Sequence, residues 1–376
     1  MAPIARVATH FCMKSPISVL LSACAALCVI IAAASPALSD PAQLHVEGNQ
    51  LLDSTGHPVR LRGVNCASME WSTNGEGHIL KTVEVAVRDW HANIIRLPLS
   101  QDRWFGKAPD QHDGGASYRA LVRQVVDLVS ANNAYVILDL HWSDMGHWGR
   151  DIGQHRLPDR NSIVFWQHLA PAYANNPAVL FDLYNEPNHV TWDEWYKGGR
   201  LTETDRKSGD TVTYDAVGLP ELFRTIRATG AKNVVVAGGI NWAFEVGGIL
   251  RGRELSDPQG HGVVYAVHPY PHRYDHLGLE TIPQWSARLQ AFADRLPLIV
   301  TEFGSLEKSW PFPPSWHTND EGWNRETLRT LEAHHWNWVA WDMHPYAEPC
   351  LITGCDYTPT PSFGVWVKQA LEKNLR

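Results

Sequence analysis

Cysteine is scarce in this sequence: there are six in 376 residues, and three of them, Cys12, Cys24 and Cys28, fall within the first 39. Cys66, Cys350 and Cys355 remain beyond that point. An odd number allows at most one intrachain bridge and excludes a disulfide framework as the device that holds the fold. Basic residues are the minority as well, 32 Lys and Arg against 40 Asp and Glu, for a formal charge of −8. Such a surface suits neither nucleic acid nor an anionic membrane, and a neutral polymer is the more natural partner. Beyond residue 39 no apolar run is long enough to span a bilayer. There is no low-complexity tail or linker, and no Gly-rich phosphate loop follows the first strand. His-x-His pairs at strand ends, the usual mark of a metal-dependent barrel, are missing despite 19 histidines. No metal and no cofactor is therefore expected.

The first 39 residues are set apart by composition. Arg6 and Lys14 precede SPISVLLSACAALCVIIAAASPALS, and its closing small residues place Ala37 and Ser39 for cleavage before Asp40. That is the layout of a secretory signal peptide, with an extracellular or periplasmic destination. A membrane anchor and a lipid attached at Cys24 in LSAC are the alternatives, although the apolar run continues past Cys24 where a lipoprotein would turn polar. Residues 40–376 are long enough for one large domain, and a monomer is expected. In an exported chain Cys350 and Cys355, on either side of LITG, are the expected disulfide. Cys66 bridging one of them is the runner-up, and a fully reduced set remains open.

What the chain has in quantity is a repeated alternation. Short apolar runs recur at VRLRGVN (59–65), NIIRLPL (93–99), YVILDLHW (135–142) and AVLFDLYNEP (178–187). They continue at NVVVAGG (233–239), GVVYAVHPY (262–270), PLIVTEFG (297–304) and WVAWDMHP (338–345). Amphipathic helical patterns separate them, at 118–132, 162–174, 219–230 and 326–335, and a last one closes the chain at 365–375. Eight strand–helix units predict an α/β fold of the (β/α)8 TIM barrel type. A doubly wound open sheet is the alternative, but it needs a phosphate-type loop where GVNCAS stands. Ahead of the barrel, LHVEGNQLLDSTGHPVRL (44–61) reads as a β-hairpin plugging the barrel's bottom.

In such a barrel the chemistry sits at the C-terminal ends of the strands. Those ends carry Asn65; Arg96; His141 with Trp142; Asn185 and Glu186; His268 and Tyr270; Glu302; and Trp341 with His344. Each strand is apolar along its body and polar at its exit. A lone buried Arg or His is more often a satisfied core group than a catalytic one, but the fold brings all of these into one cleft. Glu186 and Glu302, leaving the fourth and seventh strands, are positioned to face each other across a substrate. Paired carboxylates are what glycosidic bond cleavage needs, one giving a proton to the leaving oxygen and the other attacking the anomeric carbon or activating water. Arg96 is placed to hold one Glu ionised, and Tyr270 to hydrogen-bond it. Seventeen tryptophans fit a carbohydrate partner, because indole faces stack on the apolar faces of sugar rings, while core packing accounts for many of them.

Taken together, NIIRLPL, LDLHW, LYNEPN (183–188), HPY, VTEFG (300–304) and VAWD resemble, in order along the chain, the motifs of a family 5 glycoside hydrolase, the cellulase-type family of the retaining clan A. The resemblance covers essentially the whole chain beyond the leader. It implies that Glu186 is the acid/base and Glu302 the nucleophile. Arg96, His141, His268, Tyr270 and the sugar-stacking Trp341 would support them, and Asn185 would hold the 2-hydroxyl of the sugar being cleaved. Double displacement without a cofactor follows. The family spans glucan, mannan, xyloglucan and small-glucoside enzymes. Long Trp-rich loops after strands three, four, five and eight favour an endo-acting β-1,4-glucanase on soluble or amorphous β-glucan, with a β-mannanase as the alternative. Trp142, Trp148, Trp192 and Trp242 are candidate sugar platforms. A carbohydrate-binding barrel without turnover is the reading from another class, and it has no need for two facing carboxylates.

Overall fold

Residue parity along the strands decides what this fold does with its polar groups. In the computed structural model, which describes residues 40–271, 281–305 and 320–375, eight parallel strands close into a barrel. The expected signal peptide lies outside the described residues. Two short strands, β1 (His45–Glu47) and β2 (Gln50–Leu52), pair antiparallel ahead of it. The barrel is built from β3 (Arg62–Asn65), β4 (Ile94–Ser100), β5 (Tyr135–Trp142) and β6 (Val179–Asp182). Strands β7 (Gly199–Thr204) and β8 (Thr211–Ala216) form a separate antiparallel hairpin. The barrel resumes with β9 (Val235–Gly238), β10 (Val263–Val267), β11 (Leu298–Val300) and β12 (Asn337–Ala340), which returns to β3. Helices Ala116–Ser130, Arg160–Tyr173, Leu219–Ala228, Ile282–Ala293, Asp320–Ala333 and Gly364–Leu371 fall between or after the strands. This is the (β/α)8 barrel the sequence pattern predicts.

Successive residues of a strand point to opposite faces, and here both faces are buried. The outward set of β5, Val136, Leu138 and Leu140, joins the large apolar layer shared with the helices. The inward set begins with Tyr135 and Ile137, which join a smaller cluster inside the barrel with Ile94, Leu180, Val236, Val264, Ile299 and Val339. Leu44 and Leu51, from the segment around the β1–β2 hairpin, pack into that same cluster. The hairpin is also tied by backbone and side chain, with Val46 N donating to the His261 carbonyl and Asn49 Nδ2 to the Ala293 carbonyl. Going up β5, the inward positions then turn polar, Asp139 and His141. The barrel interior is thus apolar at its lower end and ionic at its upper end.

Several elements differ from the sequence expectation. The fourth strand ends at Asp182 rather than Pro187, and the seventh at Val300 rather than Gly304. Asn185, Glu186 and Glu302 consequently stand in the loops just past the ladder, where irregular backbone bonds such as Asn185 N to the Leu140 carbonyl hold them. The β7–β8 hairpin went unread because its apolar residues are few and its alternation short. Gly63 in β3 is required by close approach: a Cβ there would lie 1.7 Å from the Ile94 carbonyl oxygen.

Cys350 and Cys355 are not joined in the structure. The expected turn at LITG is instead the rising arm of a tight hairpin, closed by Thr353 N to the Thr358 carbonyl and by Thr360 N to the Leu351 carbonyl. Cys355 sits at its exposed tip and the half-buried Cys350 at its base. The runner-up pairing through Cys66 fails as well, because Cys66 is buried in the core beside Val64 and Met69.

Candidate active site

Arg96 organises the upper barrel. It points inward from β4, is fully buried, and spends its guanidinium on partners from several strands. Its Nη1 lies 2.6 Å from Glu302 Oε1 and its Nε 3.0 Å from Asp182 Oδ2. Its Nη2 lies 3.0 Å from Asp139 Oδ2 and donates at 2.7 Å to Asn185 Oδ1. Asn65 Oδ1 takes a further bond from Nη1 at 3.3 Å. Burial pulls the arginine's pKa down, but Asp139, Asp182 and Glu302 outweigh it and raise the pKa, so the cation persists.

Around this cation the carboxyl groups divide. Burial raises Asp139 to about 7 despite Arg96, and raises Asp182 well above the usual carboxylate range. Glu302 has a more favourable setting: besides Arg96, its Oε2 accepts from Tyr270 Oη at 2.8 Å. His141 is driven down to about 3 by burial and by Arg96, so its ring is neutral. Its hydrogen bonds then fix the tautomer. Nδ1–H donates to Asp139 Oδ2 at 2.6 Å, and Nε2 accepts from Asn185 Nδ2 at 3.2 Å. The same ring stacks on Trp341, with centroids 5.5 Å apart and planes 17° from parallel.

The second carboxylate is reached through His268. Its Nδ1 lies 2.9 Å from Glu186 Oε1 and 3.6 Å from Glu302 Oε2, and its Nε2 pairs with Thr301 Oγ1 at 2.8 Å. One donor atom from each of Glu186, His268 and Glu302 falls within 4.8 Å of the others. This triangle has the size of a metal site, yet the Arg96 guanidinium already sits 2.6 Å from the Glu302 carboxylate, where a second cation would be repelled. The arrangement suits a proton moving between groups better than a bound ion.

All eight residues singled out beside the two glutamates are placed by the structure. Arg96, His141, Asn185, His268 and Tyr270 converge with Glu186 and Glu302 in one buried network, and the half-buried Trp341 joins it through His141. Trp142 stands half-buried at the end of β5, 6.4 Å from Trp71. Trp242 lies beside the Asn-Glu-Pro segment, its N–H on the Pro187 carbonyl and its ring edge-on to His189. Trp148, half-buried, packs edge-on with Phe105, and Trp192, also half-buried, packs edge-on with Trp195 while donating Nε1 to Glu245.

Sequence reasoning missed Asp139 and Asp182. The signal was available, because Asp139 shares strand parity with His141 and must point inward with it. It also missed Glu70, buried and raised to about 8 by burial, and Asp342, fully buried and raised well above its usual range by burial with Glu70 adding. Both feel the Glu302 charge. On the opposite wall it missed Trp71, whose Nε1 donates to Glu76 at 3.0 Å while His344 Nε2 pairs with the same carboxylate at 2.8 Å.

Comparison with known proteins bears on this geometry. The model of the family described as cellulase (glycosyl hydrolase family 5) matches residues 52–347. Endoglucanase MaCel5A of Microbulbifer sp. is 24% identical over 311 residues, 80% of this chain and 51% of that protein. Endoglucanase E-5 of Thermobifida fusca is 25% identical over 275 residues, 70% of this chain and 48% of its own length. The chain thus spans about half the length of the curated relatives it matches. Among solved structures, the β-glucanase SdGluc5_26A from Saccharophagus degradans in complex with cellotetraose superposes with a TM-score of 0.70 at 22% identity. That match covers 90% of this chain and 96% of the other.

Proposed function

Because this chain belongs to glycosyl hydrolase family 5, we propose that it is a retaining endo-β-1,4-glucanase, exported by its N-terminal leader and acting on soluble or amorphous β-glucan. The observation that carries the mechanism is the short reach between the two glutamates, whose nearest oxygens lie within 4.8 Å through His268. Retaining glycosidases hold their carboxyl groups about 5–5.5 Å apart, whereas inverting ones leave about 6.5–9.5 Å for a water.

The surroundings support different roles for the two. Glu302, between the Arg96 cation and the Tyr270 hydroxyl, is held and aimed, as a nucleophile must be. Glu186 faces His268, 2.9 Å away, at the mouth of β6. In the first step Glu302 attacks the anomeric carbon while Glu186 passes its proton to the glycosidic oxygen, and the leaving sugar departs. In the second, the Glu186 carboxylate takes a proton from water, whose oxygen displaces Glu302 and restores the original configuration. Trp341, held flat by His141, gives the sugar an apolar face to lie on. The relatives named endoglucanases and the neighbour holding cellotetraose support glucan over mannan.

The test is reducing-end release from carboxymethylcellulose, mixed-linkage glucan, mannan and xyloglucan, beside Glu302→Ala and Glu186→Ala. Release on the glucans, abolished in Glu302→Ala and lowered by about 10²–10⁴ in Glu186→Ala, is expected. The first anomer seen by NMR is expected to be β. Release on mannan alone would keep the mechanism and change the substrate.

A further inference from the structure

Asn185 has no hydrogen left to give. Its Oδ1 accepts from Arg96, and its Nδ2 donates both protons, one to His141 Nε2 and the other to Gln154 Oε1 at 3.0 Å. Yet Asn185 and Glu302 hang from the two terminal nitrogens of one guanidinium, which puts the Asn185 amide beside the carboxylate that attacks the anomeric carbon in the proposed mechanism. The sugar hydroxyl nearest that carbon is the one on the next ring carbon, the 2-hydroxyl. For it to reach Asn185, one of the two existing acceptors must give way.

The acceptor placed to yield is Gln154. His141 is locked on its far side by Asp139 and stacked on Trp341, whereas Gln154 is half-buried on the loop between β5 and helix Arg160–Tyr173. Its other end is anchored at the reaction centre: Nε2 donates to the Glu186 carbonyl at 3.0 Å and to the His155 carbonyl at 3.2 Å. The β7–β8 hairpin braces it from behind, with Arg206 Nη2 on the Gln154 carbonyl and Glu203 holding both His155 and the Arg156 N–H. Gln154 is therefore not a loose loop residue. It bridges Asn185 and Glu186 from a buttressed wall.

We propose that Gln154 is a specificity-determining residue of this site, forming with Asn185 a two-point clamp on the 2-hydroxyl of the sugar at the cleaved bond; this rests on the family 5 hydrolase reading. A hydroxyl both donates and accepts, so it can insert into a donor–acceptor pair such as Asn185 Nδ2 and Gln154 Oε1. The sugar oxygen accepts from Asn185 and its proton goes to Gln154. In this clamp the 2-hydroxyl taken by both arms is the equatorial one, which stays near the ring plane. The axial hydroxyl of a manno-configured sugar leaves the plane and meets at most one arm, so the clamp favours gluco over manno.

The experiment measures kcat/KM for wild type, Gln154→Ala and Gln154→Glu on three substrates. These are an aryl β-cellobioside, the same compound lacking the 2-hydroxyl on the ring at the cleaved bond, and an aryl β-mannobioside. Gln154→Ala is expected to lose roughly tenfold more on the cellobioside than on the 2-deoxy compound, the worth of one neutral hydrogen bond. The gluco-to-manno ratio falls by the same factor, and Gln154→Glu, which keeps an acceptor in place, recovers part of it. Equal losses on the cellobioside and its 2-deoxy analogue, or no loss on either, overturn the clamp while leaving the hydrolase reading intact. A wild type inactive on all three compounds and on glucan overturns the hydrolase reading and the clamp with it. Each variant is its own folding control, because the decisive quantity compares two substrates on one protein.

Discussion

Two groups of buried carboxylates sit side by side at the top of this barrel, and they are kept in different ways. In one, Asp139, Asp182 and Glu302 surround the Arg96 guanidinium. In the other, Asp102, Asp144 and Asp159 are all 0% exposed, the last two on the same loop as Gln154. Here the partners are amides: Gln101 Nε2 reaches Asp144 and Asp159, Asn161 Nδ2 reaches Asp144, and the N–H groups of Gly146 and Gly149 reach Asp159 and Asp102. Burial, with Asp102 and Asp159 adding, raises Asp144 to about 9, and burial raises Asp102 to about 6. The first group shares one fixed cation, the Arg96 guanidinium, which contacts all three carboxyl groups. In the second, burial raises Asp144 and Asp102, whose protons come and go with pH, while amide donors fasten the loop. The difference shows that burial alone does not make a carboxylate catalytic; what matters is which neighbour compensates it.

Removing the cation should break the first group outright. Arg96→Leu leaves three buried acids without their counter-charge, and losing one partner of a buried ion network costs about 3–5 kcal/mol. Denaturant unfolding should show that loss, and glucan hydrolysis should disappear with it.

The second group should respond to pH rather than to charge reversal. Asp144 titrates near 9 in the folded chain and at its ordinary 3.8 when unfolded. Between those values the folded chain holds a proton that the unfolded chain has lost, so stability falls as pH rises from about 4 to 9, by at most about 1.4 kcal/mol per unit. Asp144→Asn keeps the shape and removes the titration. Its melting temperature should be flatter across that window and higher than wild type at pH 8, as read by calorimetric scans.

The smallest effect concerns the brace behind Gln154. His155 lies between two acceptors, Glu203 Oε2 at 3.2 Å and the Asp151 carbonyl at 2.8 Å, and only the doubly protonated ring satisfies both. Burial opposes that charge, but Glu203 and the Asp151 carbonyl outweigh it and raise His155 above its usual 6.5. The pairing therefore stabilises fully below about pH 6.5 and fades as pH climbs through the folded value. Glu203→Gln should cost about 1.5 kcal/mol at pH 6 and progressively less above neutrality, by denaturant unfolding at both values.

Much of the site is legible in the sequence. The eight apolar runs with polar exits place Arg96, His141, Glu186, His268 and Glu302 on one rim, because a parallel barrel has only one C-terminal face. Parity in YVILDLHW would also have turned Asp139 inward beside His141. The pattern ran out where residues lie off the strands. Gln154, Glu70 and Asp342 carry no periodic signal, and the disulfide expectation failed because LITG became one arm of a hairpin.

The sequence by itself determined the strand bodies, the ionic upper end of the barrel and the two glutamates at its exits, since these follow from local alternation and short motifs. Tertiary structure alone decided that Arg96 would reach Asp139, Asp182, Asn185 and Glu302 together, up to 206 positions away. It also decided that an inserted hairpin would press Gln154 against Asn185 and Glu186. Those pairings depend on where a closed barrel brings distant strand ends, and a chain's local periodicity carries no record of that distance.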